Sequence, residues 1–179
     1  MRQVVELPKE RPESHLMKQW IYRHEFMQPI HFCESPGGEF KLLSSPWDAL
    51  SLWRPLFRCL GLPGAIKAGL KLATRKRKFY CVIAEGGVAH YGWLSFSFCR
   101  YYSVGNGDVV IGPINTSQRA QGCGYATFAL KRAINELIAR SFRVFWIDTA
   151  DTNVPCQKVI QKCGFGKPVA SFDRPVSGL

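Results

Sequence analysis

A predicted strand, Val109 to Asn115, runs into a glycine-rich loop that opens a long helix, and this succession constrains the fold most. The helix is amphipathic, with one apolar face made of Ala126, Leu130, Ala133, Ile134, Leu137 and Ile138. Backbone N–H groups of such a loop and of a helix N-terminus point into one space and attract anions. Gly122 and Gly124 allow close approach to the backbone, and Arg119 adds a positive charge. The stretch therefore predicts a cradle suited to a pyrophosphate.

The rest of the chain alternates between helical and extended periodicity, which predicts a mixed α/β fold with an antiparallel middle. Ser45-Pro46 begins a helix whose buried stripe we expect from Leu50, Trp53 and Phe57, and Leu62-Pro63-Gly64 separates it from a second helix. The order that we predict is strand, two helices, three strands, helix, strand, short helix and strand, over residues 40–43, 45–61, 65–75, 79–84, 88–98, 109–115, 125–138, 143–149, 153–163 and 169–172.

Residues 1–38 are predicted to be an N-terminal extension to a single domain that covers residues 39–179. Prolines punctuate this extension, and a weak helical stripe connects Leu16, Met17, Trp20, Ile21 and His24. No chemistry is assigned to it.

The charge balance points to an anionic partner, because 24 Lys and Arg residues face 13 Asp and Glu residues for a net charge of +11. The segment from Arg54 to Lys78 holds eight basic residues and no acidic one. Helical spacing places Lys67, Lys71, Arg75 and Lys78 on one face. This face either solvates a helix, steers an anionic acceptor or lies on a membrane surface.

Seven cysteines, an odd number without a C-x-x-C pair, argue against a disulfide framework and against a zinc site. The four histidines do not cluster with them, so we expect no metal. A reducing, cytoplasmic location fits this usage, and no apolar run is long enough to predict a membrane span.

Two stretches resemble the signatures of the GNAT superfamily of N-acetyltransferases. The run RAQGCG, from Arg119 to Gly124, is similar to their R/Q-x-x-G-x-G/A loop. The run from Asn153 to Phe165 is similar to their N-x-x-[AS]-x-x-[LV]-Y-x-K-x-G-F stretch. One helix and one strand separate the two, as in that superfamily, and the resemblance covers about residues 39 to 172.

The resemblance implies the GNAT fold, a splayed mixed central sheet with helices on both faces, and acetyl-CoA as co-substrate. The cofactor would lie between the strand that ends at Ile114 and the strand 143–149. The residues implied to hold acetyl-CoA are Gly112, Ile114, Thr116, Arg119, Ala120, Gln121, Gly122, Cys123, Gly124, Tyr125 and Asn153. The amide near Ile114 would polarise the thioester carbonyl.

The chain departs from the superfamily pattern at two places that concern proton transfer. Ile160 stands where a tyrosine often serves as general acid, and the strand 109–114 has no glutamate to serve as base. Asp148 is our first candidate for the base, and His90 is the second. Cys156 stands where the superfamily motif has alanine or serine. It either lies near the thioester sulfur of acetyl-CoA, where it could take part in catalysis, or serves as a packing residue.

The implied reaction is direct transfer of an acetyl group, in a ternary complex, to a primary amine of a small molecule. An amino sugar is our first expectation for the acceptor, which we allow to be anionic, and a peptide amine stays open. Trp47, Trp53, Tyr91 and Trp93 either line the acceptor pocket or belong to the core. The alternative function is a non-catalytic module that binds RNA or another anion. The intact pyrophosphate loop disfavours nucleic acid as partner, and a homodimer stays open.

Overall fold

A seven-stranded mixed sheet organises the part of the chain that the computed structural model describes, residues 16–31 and 35–175. The strands are β1 (Leu16–Glu25), β2 (Glu39–Leu43), β3 (Arg77–Ala84), β4 (Gly87–Phe96), β5 (Val109–Thr116), β6 (Val144–Ala150) and β7 (Ala170–Pro175). The helices are α1 (Pro46–Ser51), α2 (Trp53–Ala73), α3 (Tyr125–Ile138) and α4 (Val154–Lys162). The strand order is β2-β3-β4-β5-β6-β1-β7.

The predicted order of elements from β2 to β7 is confirmed, and the predicted N-terminal helical stripe is wrong. Leu16–Glu25 form β1, which pairs antiparallel with β6 on one side and with β7 on the other. Ile21 and Tyr22 are almost fully buried. Within the predicted extension, residues 1–15 and 32–34, Cys33 among them, lie outside the described residues.

Helices cover both faces of the sheet, as the alternation along β3 shows. Tyr80 and Val82 belong to a core shared with α3, whereas Phe79 and Cys81 belong to a second core shared with α2. Because successive strand residues point to opposite faces, the two cores lie on opposite sides of the sheet. The predicted splayed, two-sided architecture is confirmed.

The region of α1 and α2 differs from its prediction in which residues are buried. Ser45 and Asp48 form the predicted capping box at the start of α1. The expected buried stripe is wrong, because Leu50, Trp53 and Phe57 are 60%, 53% and 40% exposed. The kink within α2 falls at Gly61, whose φ of 68° is left-handed.

The strands β5 and β6 form the only parallel pairing among the described strands, and this pairing is short. The two strands then separate, which leaves an opening in the sheet. Val109, Val110 and Ile111 pair with Phe145, Trp146 and Ile147. Beyond this point β5 stays paired with β4 alone, and β6 stays paired with β1 alone. The facing edges of both strands are thus open.

No helix within the described residues combines the length and the apolar composition that crossing a membrane would need.

We expect Gly92→Ala to destabilise the fold, because a Cβ at Gly92 would collide with the ring of Tyr80 on the neighbouring strand. The expected loss is about 1–3 kcal/mol in the free energy of unfolding, the usual cost of overpacking. Urea denaturation measures it. Gly69→Ala is the matched control, because a Cβ there meets nothing within 4 Å and α2 favours alanine. Equal stability of the two variants would contradict this account of Gly92.

Candidate functional site

A cleft of about 620 Å³ opens where β5 and β6 part. Residues 110–114 of β5 and residues 147–150 of β6 line it. Register places Asp148 on the same sheet face as Val110 and Ser95, opposite the core side of Ile147 and Thr149. The cleft is therefore lined by residues from both faces of the sheet.

Asp148 is the acidic group among the described residues that line this cleft. It lies in β6, and the Tyr102 hydroxyl donates a hydrogen bond of 3.1 Å to its Oδ1. Burial raises the pKa of Asp148, and both the Tyr102 hydrogen bond and the charge of Arg174 oppose this rise. The result is a half-buried carboxylate that is more basic than an exposed aspartate, which suits a proton acceptor.

Tyr102 belongs to the loop from Ser97 to Asp108 that covers this face of the sheet. Its ring lies 5.8 Å from the Trp146 ring and 6.0 Å from the Phe172 ring, measured between centroids. Burial, and next the Asp148 charge, strongly raise the pKa of the Tyr102 hydroxyl, so it stays a donor. The aromatic contacts thus fix the hydroxyl against the carboxylate.

The other side of the cleft is built by the start of α4. Asn153 caps this helix as predicted, its side-chain oxygen accepting from the Cys156 amide at 3.2 Å. Both residues line the cleft. Burial raises the pKa of the Cys156 thiol, a hydrogen bond with Thr149 opposes this, and the Asp148 charge adds to it. Cys156 is accordingly a neutral thiol rather than a nucleophilic thiolate.

The loop that is predicted to form an anion cradle begins with a short turn and contains two glycines with left-handed backbone. A short 3₁₀ turn, Gln118–Ala120, leads to Gly122 and Gly124, which have φ values of 80° and 85°. A Cβ at either glycine would meet no described atom within 4 Å, so the space above the loop is open. No side chain caps α3, and its first-turn amides lack intrahelical acceptors. The N-terminus of α3 therefore carries the positive end of a helix dipole next to the open loop.

His90 does not line the cleft, although it was the second candidate for the base. It is fully buried, and its Nδ1 lies 2.7 Å from Oγ1 of Thr116. Burial lowers the pKa of His90 to about 4, which leaves the ring neutral near pH 7. The structure thus places His90 as a support beneath the end of β5.

Of the sequence-predicted residues, the structure brings Gly112, Ile114, Asp148, Asn153 and Cys156 into one cleft. Thr116 and the loop 119–125 lie outside its lining, where β5 leads into α3. Ile160, at the tyrosine position of the superfamily, is fully buried in the core.

The four tryptophan and tyrosine residues expected near the acceptor do not line this cleft. Trp47 and Trp53 are exposed at 77% and 53%, and Trp93 is buried. Tyr91 is half-buried and lines a separate pocket beside α2.

The predicted basic face is not a single face. Lys67 and Lys71 lie on α2, but α2 ends at Ala73, and Lys78 lies in β3. Strand alternation then separates Arg77, which lines the cleft, from Lys78, whose Nζ lies over the Phe96 ring. Sequence reasoning treated these cations as one stripe because it extended helical spacing past the helix end.

Sequence reasoning missed Tyr102, which donates to Asp148, and the two cleft-lining residues Arg100 and Arg174. Tyr102 and Arg100 lie in a loop without a motif, and Arg174 reaches the cleft only because β7 pairs with the unrecognised β1. Arg77, which also lines the cleft, belongs to the basic segment that the sequence analysis singled out as a possible guide for an anionic acceptor. Among the described residues, no group of three His, Cys, Asp or Glu side chains is arranged to hold a metal ion.

Comparisons with known proteins match the chain by sequence family and by fold. The model of the acetyltransferase (GNAT) family matches residues 45–165. No curated protein sequence matches the chain. Among solved structures, a GNAT-family acetyltransferase described as putative, from Novosphingobium aromaticivorans, is similar with a TM-score of 0.59 and 16% identity, over 89% of this chain and 63% of that one.

Two further solved structures extend the comparison. A GNAT-family acetyltransferase from Colwellia psychrerythraea has a TM-score of 0.58 and 16% identity, over 88% of this chain and 54% of that one. The chain therefore spans less than two thirds of the length of these first two relatives. An aminoglycoside N-acetyltransferase, solved with the bisubstrate analogue CoA-S-monomethyl-acetylneamine, has a TM-score of 0.56 and 18% identity, over 74% of this chain and 94% of that one.

We expect the stability of the protein to fall in acid because His90 is buried as a neutral ring. Its pKa is about 4 when folded and about 6.5 in an unfolded chain, so only the unfolded state takes up a proton between these values. The contribution of neutral His90 to the free energy of unfolding is fully present above about pH 6.5. It decreases by about 3 kcal/mol as the pH falls to about 4. Urea unfolding at several pH values measures the decrease. The variant His90→Gln cannot titrate, so its free energy of unfolding should fall by about 3 kcal/mol less over the same pH range. If parent and variant lose equal stability in acid, His90 is not the group responsible.

Proposed function

The chain belongs to the GNAT family of acetyltransferases, and from this we propose that it transfers an acetyl group from acetyl-CoA to a primary amine of a small molecule. The observation that carries the proposal is the cleft between β5 and β6, with a carboxylate on one face of the sheet and an uncapped helix N-terminus on the other. Each substrate then has its own approach, as direct transfer in a ternary complex requires.

Acetyl-CoA would be held by the loop and by the open edge of β5. The amides around Gly122, Gly124 and Tyr125, with Arg119, Ala120, Gln121 and Cys123, would bind the pyrophosphate. Gly112, Ile114 and Thr116 would accompany the pantetheine arm on one side and Asn153 on the other. The fit is supported by the open space above both loop glycines, which a phosphate needs.

Acetyl-CoA supplies the thioester on which the amine acts, and the residues of the chain supply binding and proton transfer. Asp148 would accept the proton that the acceptor ammonium must lose before its nitrogen can attack. Tyr102 would act as a positioning residue that orients the Asp148 carboxylate. The backbone at Ile114 would donate to the carbonyl oxygen as charge develops there.

The leaving sulfur needs a proton, and Cys156 is the candidate donor within the cleft. Its raised pKa keeps the thiol protonated, and it lies on the same face as Thr149. Ile160 cannot serve, because an alkyl side chain has no proton to give.

An amino sugar is the acceptor class that we propose to examine first. The support is the aminoglycoside N-acetyltransferase, which matches 74% of this chain. A coupled assay of acetyl-CoA consumption against amino sugars, amino acids, polyamines and peptides tests it.

We expect Gly122→Val to abolish CoA binding while the fold persists, because a branched side chain would occupy the phosphate space. Isothermal titration with CoA measures the loss. Gly86→Val is the matched control, since Gly86 also has positive φ and open space but lies in the β3–β4 turn. Unchanged CoA affinity in a folded Gly122→Val variant would contradict the assignment of the loop, and retained binding of single-stranded RNA without CoA binding would favour the non-catalytic alternative.

We expect Asp148→Asn to lower kcat by about 10²–10⁴, the usual share of general-base catalysis, with little change in CoA affinity. Rates equal to the parent at all pH values would show that water is the base.

Tyr102→Phe should act differently, because the hydrogen bond that it removes lowers the pKa of Asp148. Without this hydrogen bond the pKa of Asp148 is higher, so the acidic limb of the pH–rate profile of Tyr102→Phe should move to higher pH.

A further inference from the structure

The side of the cleft that holds Asp148 collects positive charge from four separate elements. Lys71 lies near the end of α2, Arg77 begins β3, Arg100 belongs to the covering loop, and Arg174 lies in β7. We call these four residues the cation cluster. Four cations against the single described carboxylate of the lining, Asp148, leave an excess of three positive charges.

Aromatic rings hold three members of the cluster in place. Lys71 Nζ lies 5.0 Å from the centroid of the Trp93 ring. The guanidinium carbons of Arg100 and Arg174 lie 5.8 Å and 5.1 Å from the Tyr101 ring centroid. Such cation–π contacts orient a cation without neutralising it, so the charge remains available to a ligand.

Among the described residues, the cation cluster keeps a net positive charge after Asp148 is taken into account. Within residues 16–31 and 35–175, no member forms an ion pair with a carboxylate. The pKa of Lys71 is lowered by burial and, in second place, by the charges of Arg77 and Lys67. Mutual repulsion at the mouth of a cleft is relieved when an anion binds between the cations.

We propose that the acceptor amine carries a carboxylate or phosphate group and that the cation cluster binds it. This inference rests on the proposed function, because it assigns the acceptor of that same site. The acceptor is then bipolar: its amine meets Asp148, and its anionic group meets Lys71, Arg77, Arg100 or Arg174. Arginine and lysine bind both kinds of oxyanion, so the chemistry shared by carboxylate and phosphate is what the cluster recognises.

The same charges disfavour acceptors with several ammonium groups. An aminoglycoside is such a polycation, and a polyamine is another. Asp148 can pair with one ammonium group of the acceptor. The four cations would repel every further ammonium group. The proposal therefore separates this chain from the aminoglycoside N-acetyltransferase that it resembles in fold.

Matched pairs of amines test the inference, each pair differing only in the anionic group. Glucosamine 6-phosphate is compared with glucosamine, and an amino acid is compared with its amide, with spermidine and an aminoglycoside as polycations. We expect the anionic member of at least one pair to have a kcat/KM about ten- to a hundredfold higher, the effect of one charge-assisted contact. The phosphate and carboxylate pairs tell which oxyanion is preferred.

Variants of the cluster locate the effect. Arg77→Gln and the double variant Arg100→Gln/Arg174→Gln should raise the KM of the anionic acceptor about tenfold or more, with the KM of acetyl-CoA unchanged. The preference within each pair should disappear with them. Arg140→Gln is the matched control, since this residue is exposed and lies outside the cleft. Equal or better turnover of glucosamine, the amide or a polycation by the parent overturns the inference.

Failure of the inference and failure of the proposed function give different results. If CoA binds and the anionic amines are not preferred, the cation cluster has no role in recognition and the acetyltransferase proposal stands. If CoA does not bind, the proposed function fails, and titration with inorganic phosphate still examines the cluster. Phosphate affinity that is equal in the parent and in the Arg100→Gln/Arg174→Gln variant then overturns the inference, and weaker binding by the variant supports it.

Discussion

The limited pairing between β5 and β6 is the constraint on which the site depends. Three residue pairs hold the two strands together at Val109–Ile111, and each strand then follows its outer neighbour. Backbone groups on the facing edges lose their sheet partners at this point, which is costly unless water or a ligand satisfies them. The opening is thus a gap in the sheet that is bordered by backbone groups able to form hydrogen bonds with a ligand.

The two faces of the sheet differ in the source of positive charge near this opening. On the side of α3, positive potential comes from the backbone amides of a helix N-terminus and its glycine loop. On the side of Asp148, it comes from side chains on α2, β3, β7 and the covering loop. Backbone amides are fixed in place, whereas side-chain cations are replaced easily by mutation.

Local signals in the sequence predicted the elements that depend on neighbouring residues. The capping box at Ser45, the Asn153 cap, the apolar face of α3 and the loop glycines at positive φ are all short-range features. Their interactions join residues a few positions apart, so spacing alone reveals them. The same logic failed for β1, because Leu16–Glu25 lies between distant strands and its burial depends on β6 and β7.

The sequence by itself determined the mixed fold, the glycine loop that opens α3 and the place of Asp148 on a strand that borders the cleft. Only the tertiary structure decided which polar groups share that cleft. Tyr102 meets Asp148 across 46 positions of the chain, and Arg174 arrives through a strand pairing that no local pattern encodes. Tertiary packing also withdrew His90 into the core and separated Arg77 from Lys78 by strand alternation. The physical reason is that a catalytic environment is made by burial and by charges from distant segments, neither of which spacing along the chain can specify.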